Sequence, residues 1–309
     1  MTKAAFQTLE SYRLVQYAVP VPCYICEADN TSNAEYCHRC LAPMALAHQA
    51  NSQDVHPKMI AVMGASGVGK TVYLGMLMDM LSRQSDKLQV LARGAFSITL
   101  QQIAITALAR SAFPRKTPNE PDHWNWVHCQ IRRPEPNQDM ELLMPDMAGE
   151  AVLEEVDHPH TYRIIGQFLK KSAAALVLID AWQLKEGSQE QDFFSMKLLS
   201  YLSELDADRR HGWSQRPVAL ILTKADCCEE CWDDPAGFAQ AHAAGLWRLC
   251  RERLHCHHFF AASVSGSCLS VNSLTEGQVH FPLRIEPHGI IEPFEWVIEQ
   301  VSAKQKTHN

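Results

Sequence analysis

Residues 59–71 read Met59-Ile60-Ala61-Val62-Met63-Gly64-Ala65-Ser66-Gly67-Val68-Gly69-Lys70-Thr71, and this stretch decides the fold. Its first five residues are apolar and predict a buried strand, while the helical spacing of the apolar residues from Leu74 to Leu81 predicts a helix directly after it. Between the two stands Gly-x4-Gly-Lys-Thr. In the order strand, loop, helix, this pattern is typical of a loop that wraps a polyphosphate with backbone N–H groups. The sequence therefore predicts a nucleoside triphosphate site.

The residues of this loop have separate predicted roles. The glycines let the backbone approach the phosphates, and the dipole of the following helix favours negative charge. We expect Lys70 to bridge the β- and γ-phosphates and the Thr71 hydroxyl to bind Mg²⁺. The predicted nucleotide-binding positions of the loop are Gly64, Ser66, Gly67, Val68, Gly69, Lys70 and Thr71.

The rest of the chain alternates apolar runs with amphipathic helical segments. The runs cover residues 59–63, 142–144, 174–179, 218–222 and 259–262. This alternation predicts an α/β fold, a three-layer P-loop NTPase sandwich with a mainly parallel sheet. Residues 123–131 and 140–144 flank a polar stretch and predict a hairpin that contributes an antiparallel edge strand. Pro293 predicts the start of a C-terminal helix.

An acidic residue and a glycine follow the strand that ends near Met144. Asp146 stands where a carboxylate can hold Mg²⁺ beside the phosphate loop. It begins the pattern Asp-x-x-Gly, in which the N–H of Gly149 can contact a γ-phosphate and respond to its loss. The pattern is short, but its place on a hairpin strand downstream of a phosphate loop makes it informative.

A base-reading site is predicted where two later strands end. Asp226, in Thr223-Lys224-Ala225-Asp226, can accept hydrogen bonds from the N1–H and 2-amino groups of guanine, and adenine offers neither donor. The Lys224 stem can lie across the base, and Ser263 or Val264 can offer a backbone N–H to the guanine O6. Alone, Asp226 would be interpreted as a helix N-cap. Its place after the two preceding motifs favours guanine.

Cysteine is the unusual part of the composition, with 11 in 309 residues. The first residues lack the apolar core and cleavage site of a secretory signal, so we expect a reducing, cytoplasmic location. Two Cys-x2-Cys pairs separated by ten residues lie near the N-terminus, a spacing typical of a four-sulfur zinc ribbon. The predicted Zn²⁺ ligands are Cys23, Cys26, Cys37 and Cys40.

The sequence thus predicts three parts: an N-terminal segment with the ribbon (1–46), a polar linker (47–58), and a nucleotide-binding domain with a C-terminal helix (59–309). Residues 1–58 carry no excess of Lys and Arg. The ribbon is therefore interpreted as structural or as a protein-docking surface rather than a nucleic-acid reader. Irregular spacing favours buried free thiols over a second metal site for Cys227, Cys228, Cys231, Cys250 and Cys256.

Composition excludes several other classes of protein. The chain has 28 basic and 35 acidic residues, a formal net charge of −7, and 46% apolar residues. That apolar fraction excludes wholesale disorder, and the acidic balance disfavours non-specific binding to nucleic acid or to anionic membranes. No stretch is long and apolar enough to predict a membrane span.

The ordered motifs resemble those of P-loop GTPases of the translation-factor and Ras-like (TRAFAC) class, over about residues 59–266. The resemblance implies GTP or GDP with Mg²⁺ as ligands and hydrolysis of GTP by a molecular switch. It also implies a threonine in the first switch that binds Mg²⁺ in the triphosphate state, just ahead of the hairpin, where Thr117 stands. The implied catalytic residues are Lys70, Thr117, Gly149 and Glu150.

Two departures from that class bear on the expected activity. Glu150 stands where many relatives have a water-orienting glutamine; a γ-phosphate would repel it, so hydrolysis could be slow or partner-dependent. Thr223 replaces the commonest asparagine and removes an amide that braces the base loop, which predicts weaker guanine binding. No arginine finger is assigned. Four arginines near the switch-like segments are interpreted as solvated surface charges: Arg93, Arg110, Arg115 and Arg163.

A closer resemblance is to bacterial zinc-ribbon proteins of the double-GTPase type, which occur in multi-gene conflict or signalling modules. The ribbon and the tail 283–293 support it, and it implies a guanine nucleotide together with a protein partner at the ribbon or the switch loops. Two alternatives stay open. One is a GTP-binding scaffold without turnover whose ribbon docks a partner, and the other is an ATPase of a different P-loop branch.

Overall fold

The fold is that of a computed structural model, described over residues 19–53, 56–83, 88–132, 139–205, 214–273 and 277–308. An N-terminal module comes first. Its strand β1 (Val21–Pro22) pairs antiparallel with β2 (Asp29–Asn30), and helix α1 (Met44–Gln53) follows. Part of the segment 47–58, for which the sequence predicts a linker, is therefore helical. The helix is stabilised by tertiary packing, since Leu46, Ala47 and Ala50 are buried although the segment as a whole is polar.

A seven-stranded sheet forms the centre of the fold. In chain order its strands are β3 (Lys58–Gly64), β4 (Gln89–Ala92), β5 (Trp126–Arg132), β6 (Met140–Pro145), β7 (Ala174–Asp180), β8 (Val218–Thr223) and β9 (His257–Ala261). They lie side by side in the order β4-β5-β6-β3-β7-β8-β9. Neighbours from β6 to β9 are parallel, whereas β5 pairs antiparallel with both β4 and β6. The predicted α/β class with a mainly parallel sheet is confirmed.

Helices cover both faces of this sheet. They are α2 (Lys70–Arg83), α3 (Ala95–Ala109), α4 (Gly149–Asp157), α5 (Arg163–Lys171), α6 (Ala181–Lys185), α7 (Gln189–Leu205), α8 (Glu230–Asp233), α9 (Pro235–His242), α10 (Ala244–Arg253) and α11 (Glu292–His308). Successive residues of β3 alternate between two buried clusters. Ile60 and Val62 pack with α2, α3 and α11, whereas Ala61 and Met63 pack with α4, α5 and α7. Burial on both faces explains why the central strands are continuous apolar runs.

The structure adds two features that the sequence patterns do not predict. Strand β4, with Val90 as its one fully buried residue, forms the antiparallel edge, so β5 of the predicted hairpin is an inner strand. After β9 comes a long antiparallel hairpin of β10 (Ser263–Ser273) and β11 (Gly277–His288). Residues 133–138, in the predicted turn of the β5–β6 hairpin, lie outside the described residues.

The N-terminal module packs against the sheet. Its cysteines and Met44 belong to the same buried cluster as Trp126 of β5 and Phe168 of α5. Gln49 of α1 lies 2.8 Å from the ring Nδ1 of His128. The ribbon core is therefore continuous with the core of the larger domain. None of the helices in the described part of the chain has the length and apolar character to cross a membrane.

Candidate functional site

The phosphate loop, residues 64–71, joins β3 to α2 with a backbone that requires glycine. Gly67 and Gly69 have φ values of 79° and 94°, in the region that side chains rarely adopt. At Gly64 an added Cβ would lie 2.4 Å from the carbonyl oxygen of Leu178 in β7. The loop is thus held close to the neighbouring strand while its inner surface faces the cavity described below.

Lys70 lies across this loop at the start of α2. Its Nζ donates to the carbonyl oxygens of Gly64 and Ala65, each at 2.9 Å. Burial lowers the pKa of Lys70 to about 8, and the charges of Asp146 and Glu150 oppose that shift. The phosphate loop therefore already holds the Lys70 ammonium in place, and we expect this ammonium to bind the phosphates of the ligand.

Thr71, Thr117 and Asp146 form a cluster of oxygen atoms beside the loop. Asp146 Oδ2 accepts hydrogen bonds from Thr71 Oγ1 at 2.9 Å and Thr117 Oγ1 at 3.1 Å, and the two hydroxyls lie 3.2 Å apart. Burial raises the pKa of Asp146, against the opposing effects of the Thr71 hydrogen bond and the Lys70 charge. Among the described residues, no partner donates to the buried Asp146 Oδ1. Hard oxygen donors with one carboxylate oxygen left unsatisfied fit a site for Mg²⁺.

Gly149 begins α4 directly against the phosphate loop. A Cβ at this position would lie 2.5 Å from both the carbonyl carbon of Ala65 and the nitrogen of Ser66. The next residue, Glu150, points outward with 57% of its side chain exposed, and its carboxylate lies 3.8 Å from Lys116 Nζ. Gly149 therefore contacts the loop through its backbone, and Glu150 lies at the edge of the cavity.

Thr223, at the end of β8, connects the predicted base-reading loop to the phosphate loop. Its hydroxyl lies 2.9 Å from the carbonyl oxygen of Val68 and 3.1 Å from that of Ile179. The sequence predicts the loss of a brace where threonine replaces asparagine. In the structure the threonine hydroxyl provides a brace of its own, because it is short enough to fit between the two carbonyls while buried.

The remaining base-loop residues are held by side-chain pairs. Lys224 has a left-handed backbone, with φ 57°, and its ammonium pairs with the fully buried carboxylate of Asp180. Asp180 also caps α6 by accepting from the Gln183 backbone N. The Asp226 carboxylate accepts from the Ser263 hydroxyl. Asp180 is therefore a site residue that sequence analysis missed, although its place at the C-terminal end of a parallel strand was a signal that could have found it.

A cavity of about 600 Å³ brings the predicted groups together. Of the predicted nucleotide-site residues, those that line it are Ser66, Gly67, Val68, Gly69, Lys70, Thr71, Thr117, Gly149, Glu150, Thr223, Lys224, Asp226, Ser263 and Val264. Gly64 and Asp146 lie behind this surface. The lining also includes Phe113, Arg115, Trp182 and Ile290, which no motif indicates as base or phosphate contacts.

A second candidate site is the predicted zinc ribbon. The sulfurs of Cys23, Cys26, Cys37 and Cys40 all lie within 4.8 Å of one another, with Cys23–Cys40 at 3.6 Å and Cys26–Cys37 at 3.5 Å. A tetrahedral Zn²⁺ with bonds of about 2.3 Å requires sulfur separations of about 3.8 Å. The neighbouring Cys40 thiol lowers the pKa of Cys23 to about 5, which favours a thiolate ligand. The donor set fits Zn²⁺.

Two matching turns create this geometry. Backbone N–H groups of Glu27 and Leu41 donate to the carbonyls of Cys23 and Cys37, each at 2.9 Å. Both donor residues have left-handed backbones, with φ 61° and 64°. Each Cys-x2-Cys pair thus forms the same tight turn, and the two turns face each other.

The later cysteines form no comparable cluster. Within the described ranges, the four N-terminal thiols are the one group of three or more His, Cys, Asp or Glu ligand atoms close enough to hold a single ion. Cys228, Cys231 and Cys250 are buried. Burial raises the pKa of Cys231 to about 12, as expected of thiols that pack as apolar residues.

Comparison with known proteins gives a family match for the larger domain. The model of the Double-GTPase 2 family matches residues 58–265, about two thirds of the chain. A comparison with curated proteins gives no match. Among solved structures, the chain is similar to an ADP-ribosylation-factor-like GTP-binding protein, the small COPII coat GTPase SAR1 of Encephalitozoon cuniculi, in complex with GDP. That match has 15% identity and a TM-score of 0.38 and covers 82% of this chain and 83% of the other.

Two further solved structures are similar at the same low level. The GTPase-like domain of S. cerevisiae Ski7, bound to GDP and inorganic phosphate, matches with 13% identity and a TM-score of 0.44, over 79% of this chain and 49% of the other. Toc33 of Arabidopsis thaliana matches with 11% identity and a TM-score of 0.35, over 84% and 91%. The chain therefore spans about half the length of the Ski7 structure.

Proposed function

This chain belongs to the Double-GTPase 2 family, and from that premise we propose that it binds GTP, hydrolyses it to GDP with Mg²⁺, and acts as a molecular switch. The observation that carries the proposal is the convergence of motifs on one cavity of about 600 Å³. Loops that follow β3, β6, β8 and β9 all reach it. They bring a phosphate loop, an oxygen cluster and a base-reading carboxylate to the same space, which is what a nucleoside triphosphate requires.

At the phosphate end, binding exchanges one set of contacts for another. Lys70 Nζ gives up the carbonyls of Gly64 and Ala65 for β- and γ-phosphate oxygens, and the loop N–H groups donate to the same phosphates. Thr71, Thr117 and Asp146 would hold Mg²⁺, which neutralises charge on the phosphate oxygens when bound. The oxygen atoms of these three residues already lie within 3.2 Å of one another.

Hydrolysis requires little covalent chemistry from the protein. The oxygen of a water molecule bonds to the γ-phosphorus as the bond from that phosphorus to the bridging oxygen breaks. GDP keeps the bridging oxygen, and both protons of the water leave with the inorganic phosphate. The Gly149 N–H can stabilise charge on the γ-phosphate. Glu150 can accept a hydrogen bond from the water, and Lys116 partly offsets the repulsion between Glu150 and the phosphate.

At the base end, Asp226 selects guanine. Its carboxylate accepts from the N1–H and 2-amino groups of guanine, whereas adenine presents an acceptor at N1. The Ser263 hydroxyl holds the carboxylate in place, and Lys224 lines the same cavity. A wrong base leaves a partly buried carboxylate without its partners, which is the arrangement that discriminates most strongly.

Nucleotide titration tests the assignment. We expect the wild type to bind GTP at least about a hundredfold more tightly than ATP, and Asp226→Asn to shift preference toward xanthosine triphosphate, because the amide donates where the carboxylate accepts. Asp233→Asn, an exposed carboxylate on α8, is the matched control and should bind as the wild type does. Tighter ATP binding by the wild type would refute the guanine assignment and favour an ATPase.

The exposure of Glu150 leaves a second candidate, a GTP-binding scaffold without turnover. Single-turnover hydrolysis in Mg²⁺ separates the two. Measurable hydrolysis that slows in Glu150→Ala supports the proposed mechanism, and an unchanged rate in that variant removes Glu150 from it. GTP that remains intact in the wild type favours the scaffold.

A further inference from the structure

The chain between Thr117 and Asp146 is closed into a loop by two hydrogen bonds that no motif indicates. The indole Nε1 of Trp124 donates to the carbonyl oxygen of Pro118 at 2.8 Å, and Pro118 directly follows Thr117. The backbone N of Asp146 donates to the carbonyl oxygen of Asn125 at 2.8 Å. Trp124 therefore bonds to the residue after Thr117, and the adjacent Asn125 bonds to Asp146. These two neighbouring residues link the Thr117 and Asp146 sides of the oxygen cluster.

Trp124 is well placed to fix its partner. Only 5% of its surface is exposed, and its ring belongs to the same buried cluster as the ribbon cysteines. A short 3-10 turn, Pro121–His123, leads into it. An indole has one hydrogen-bond donor, and the whole of that capacity is used on Pro118. The ring is thus anchored by packing and directs its polar group to the residue beside Thr117.

We propose that Trp124 is a positioning residue for Mg²⁺ binding: its indole N–H holds Pro118 and thereby keeps the Thr117 hydroxyl next to Thr71 and Asp146. This inference rests on the proposed function, in which those three groups bind Mg²⁺. It adds that the segment after Thr117 is tethered to the core, so any reordering of the switch with the nucleotide is confined to the residues before Thr117.

Trp126 offers a matched control. It is 2% exposed, lies in the same buried cluster and packs edge-on against Phe168 at 5.9 Å. Among the described residues, its Nε1 has no hydrogen-bond partner. Trp124→Phe and Trp126→Phe therefore remove the same atoms from the same core, but only the first removes a hydrogen bond.

The experiment measures release of a fluorescent, non-hydrolysable GTP analogue as a function of Mg²⁺ concentration and in excess EDTA. We expect Trp124→Phe to raise the half-saturating Mg²⁺ concentration by about three- to tenfold, the usual effect of one buried hydrogen bond, and to leave release in EDTA unchanged. Trp126→Phe should shift neither. In a Thr117→Ala background, Trp124→Phe should have no further effect, because the positioned hydroxyl is gone.

The outcomes are distinguishable. Equal Mg²⁺ responses of the two tryptophan variants, or additive effects of Trp124→Phe and Thr117→Ala, would overturn the positioning role while leaving the proposed function intact. If the rate of nucleotide release from the wild type did not depend on Mg²⁺ concentration, the proposed Mg²⁺ site would be overturned, and this inference with it.

Discussion

Replacing Gly149 with alanine should separate the phosphate loop from the segment that we propose senses the γ-phosphate. The added Cβ would lie 2.5 Å from Ala65 C and Ser66 N and 2.8 Å from the carbonyl oxygen of Gly64. Ordinary contacts begin near 3.4 Å, so the two backbones must move apart by about 0.9 Å. Because every neighbour is a backbone atom, no side chain can rotate away to relieve the contact.

This movement should lower both stability and affinity. Overpacking of this kind costs about 1–3 kcal/mol in the free energy of unfolding. The same shift displaces the loop N–H groups and the Ala65 carbonyl that positions Lys70. Misplacement by about 1 Å weakens catalytic and binding interactions by about a hundredfold. We therefore expect GTP to bind Gly149→Ala about a hundredfold more weakly than the wild type.

Urea denaturation and titration with a fluorescent GTP analogue measure the two effects. Gly166→Ala is the control, since the nearest atoms to a Cβ there are side-chain atoms, with Glu155 Oε1 at 3.0 Å and the Tyr201 hydroxyl at 3.4 Å. It should leave GTP affinity unchanged. A folded Gly149→Ala protein that binds GTP within about threefold of the wild type would refute the reasoning, since a loop displaced by about 1 Å could not retain that affinity.

Two further predictions concern the metal centre and the protonation of the phosphate loop. We expect a zinc content near one per chain, and the double variant Cys37→Ser/Cys40→Ser should abolish it. The same variant should lower the free energy of unfolding by about 3 kcal/mol or more, or Tm by about 10 °C, and still unfold in a single transition. Cys227→Ser, at an exposed cysteine, should change neither quantity, and a separate early transition in the double variant would contradict a shared core. Because burial lowers the pKa of Lys70 to about 8, GTP affinity should fall as pH rises above 8, where binding must take up a proton. Calorimetry in buffers of different ionisation enthalpy measures that proton uptake. Lys70→Met should remove the pH dependence of GTP affinity. An affinity that stays constant to about pH 9.5 would contradict a role for the Lys70 ammonium in binding GTP.

The sequence located the phosphate loop, Asp146, Gly149 and Asp226 because each follows an apolar run. In a parallel sheet the carboxyl ends of such runs meet at one edge, so order along the chain is enough to predict that these residues converge. Short or half-exposed strands carry no such pattern. Strand β4 has four residues of which only Val90 is fully buried, and the true edge of the sheet was therefore missed.

Residue type alone does not predict the hydrogen-bond and ion-pair partners of some side chains. The sequence favours a solvated charge at Arg93, but in the structure Arg93 donates to Gln130 at 2.9 Å and pairs with Glu141 at 3.1 Å. Both partners are far from Arg93 in sequence and adjacent only through strand pairing. The sequence predicts a lost brace at Thr223, whereas its hydroxyl lies beside two carbonyls, one from the phosphate loop and one from β7. Contacts of this kind require the register of the sheet.

The ribbon has a consequence for how such a chain could change over evolutionary time. Its cysteines share a buried cluster with Trp126 and Phe168, and Gln49 covers the buried ring of His128. A descendant that lost the first 53 residues would expose apolar and polar groups that now have no contact with water. Loss of the ribbon would therefore have to be accompanied by substitutions on β5 and α5, and polar residues at those strand and helix positions would be the trace left in a ribbonless relative.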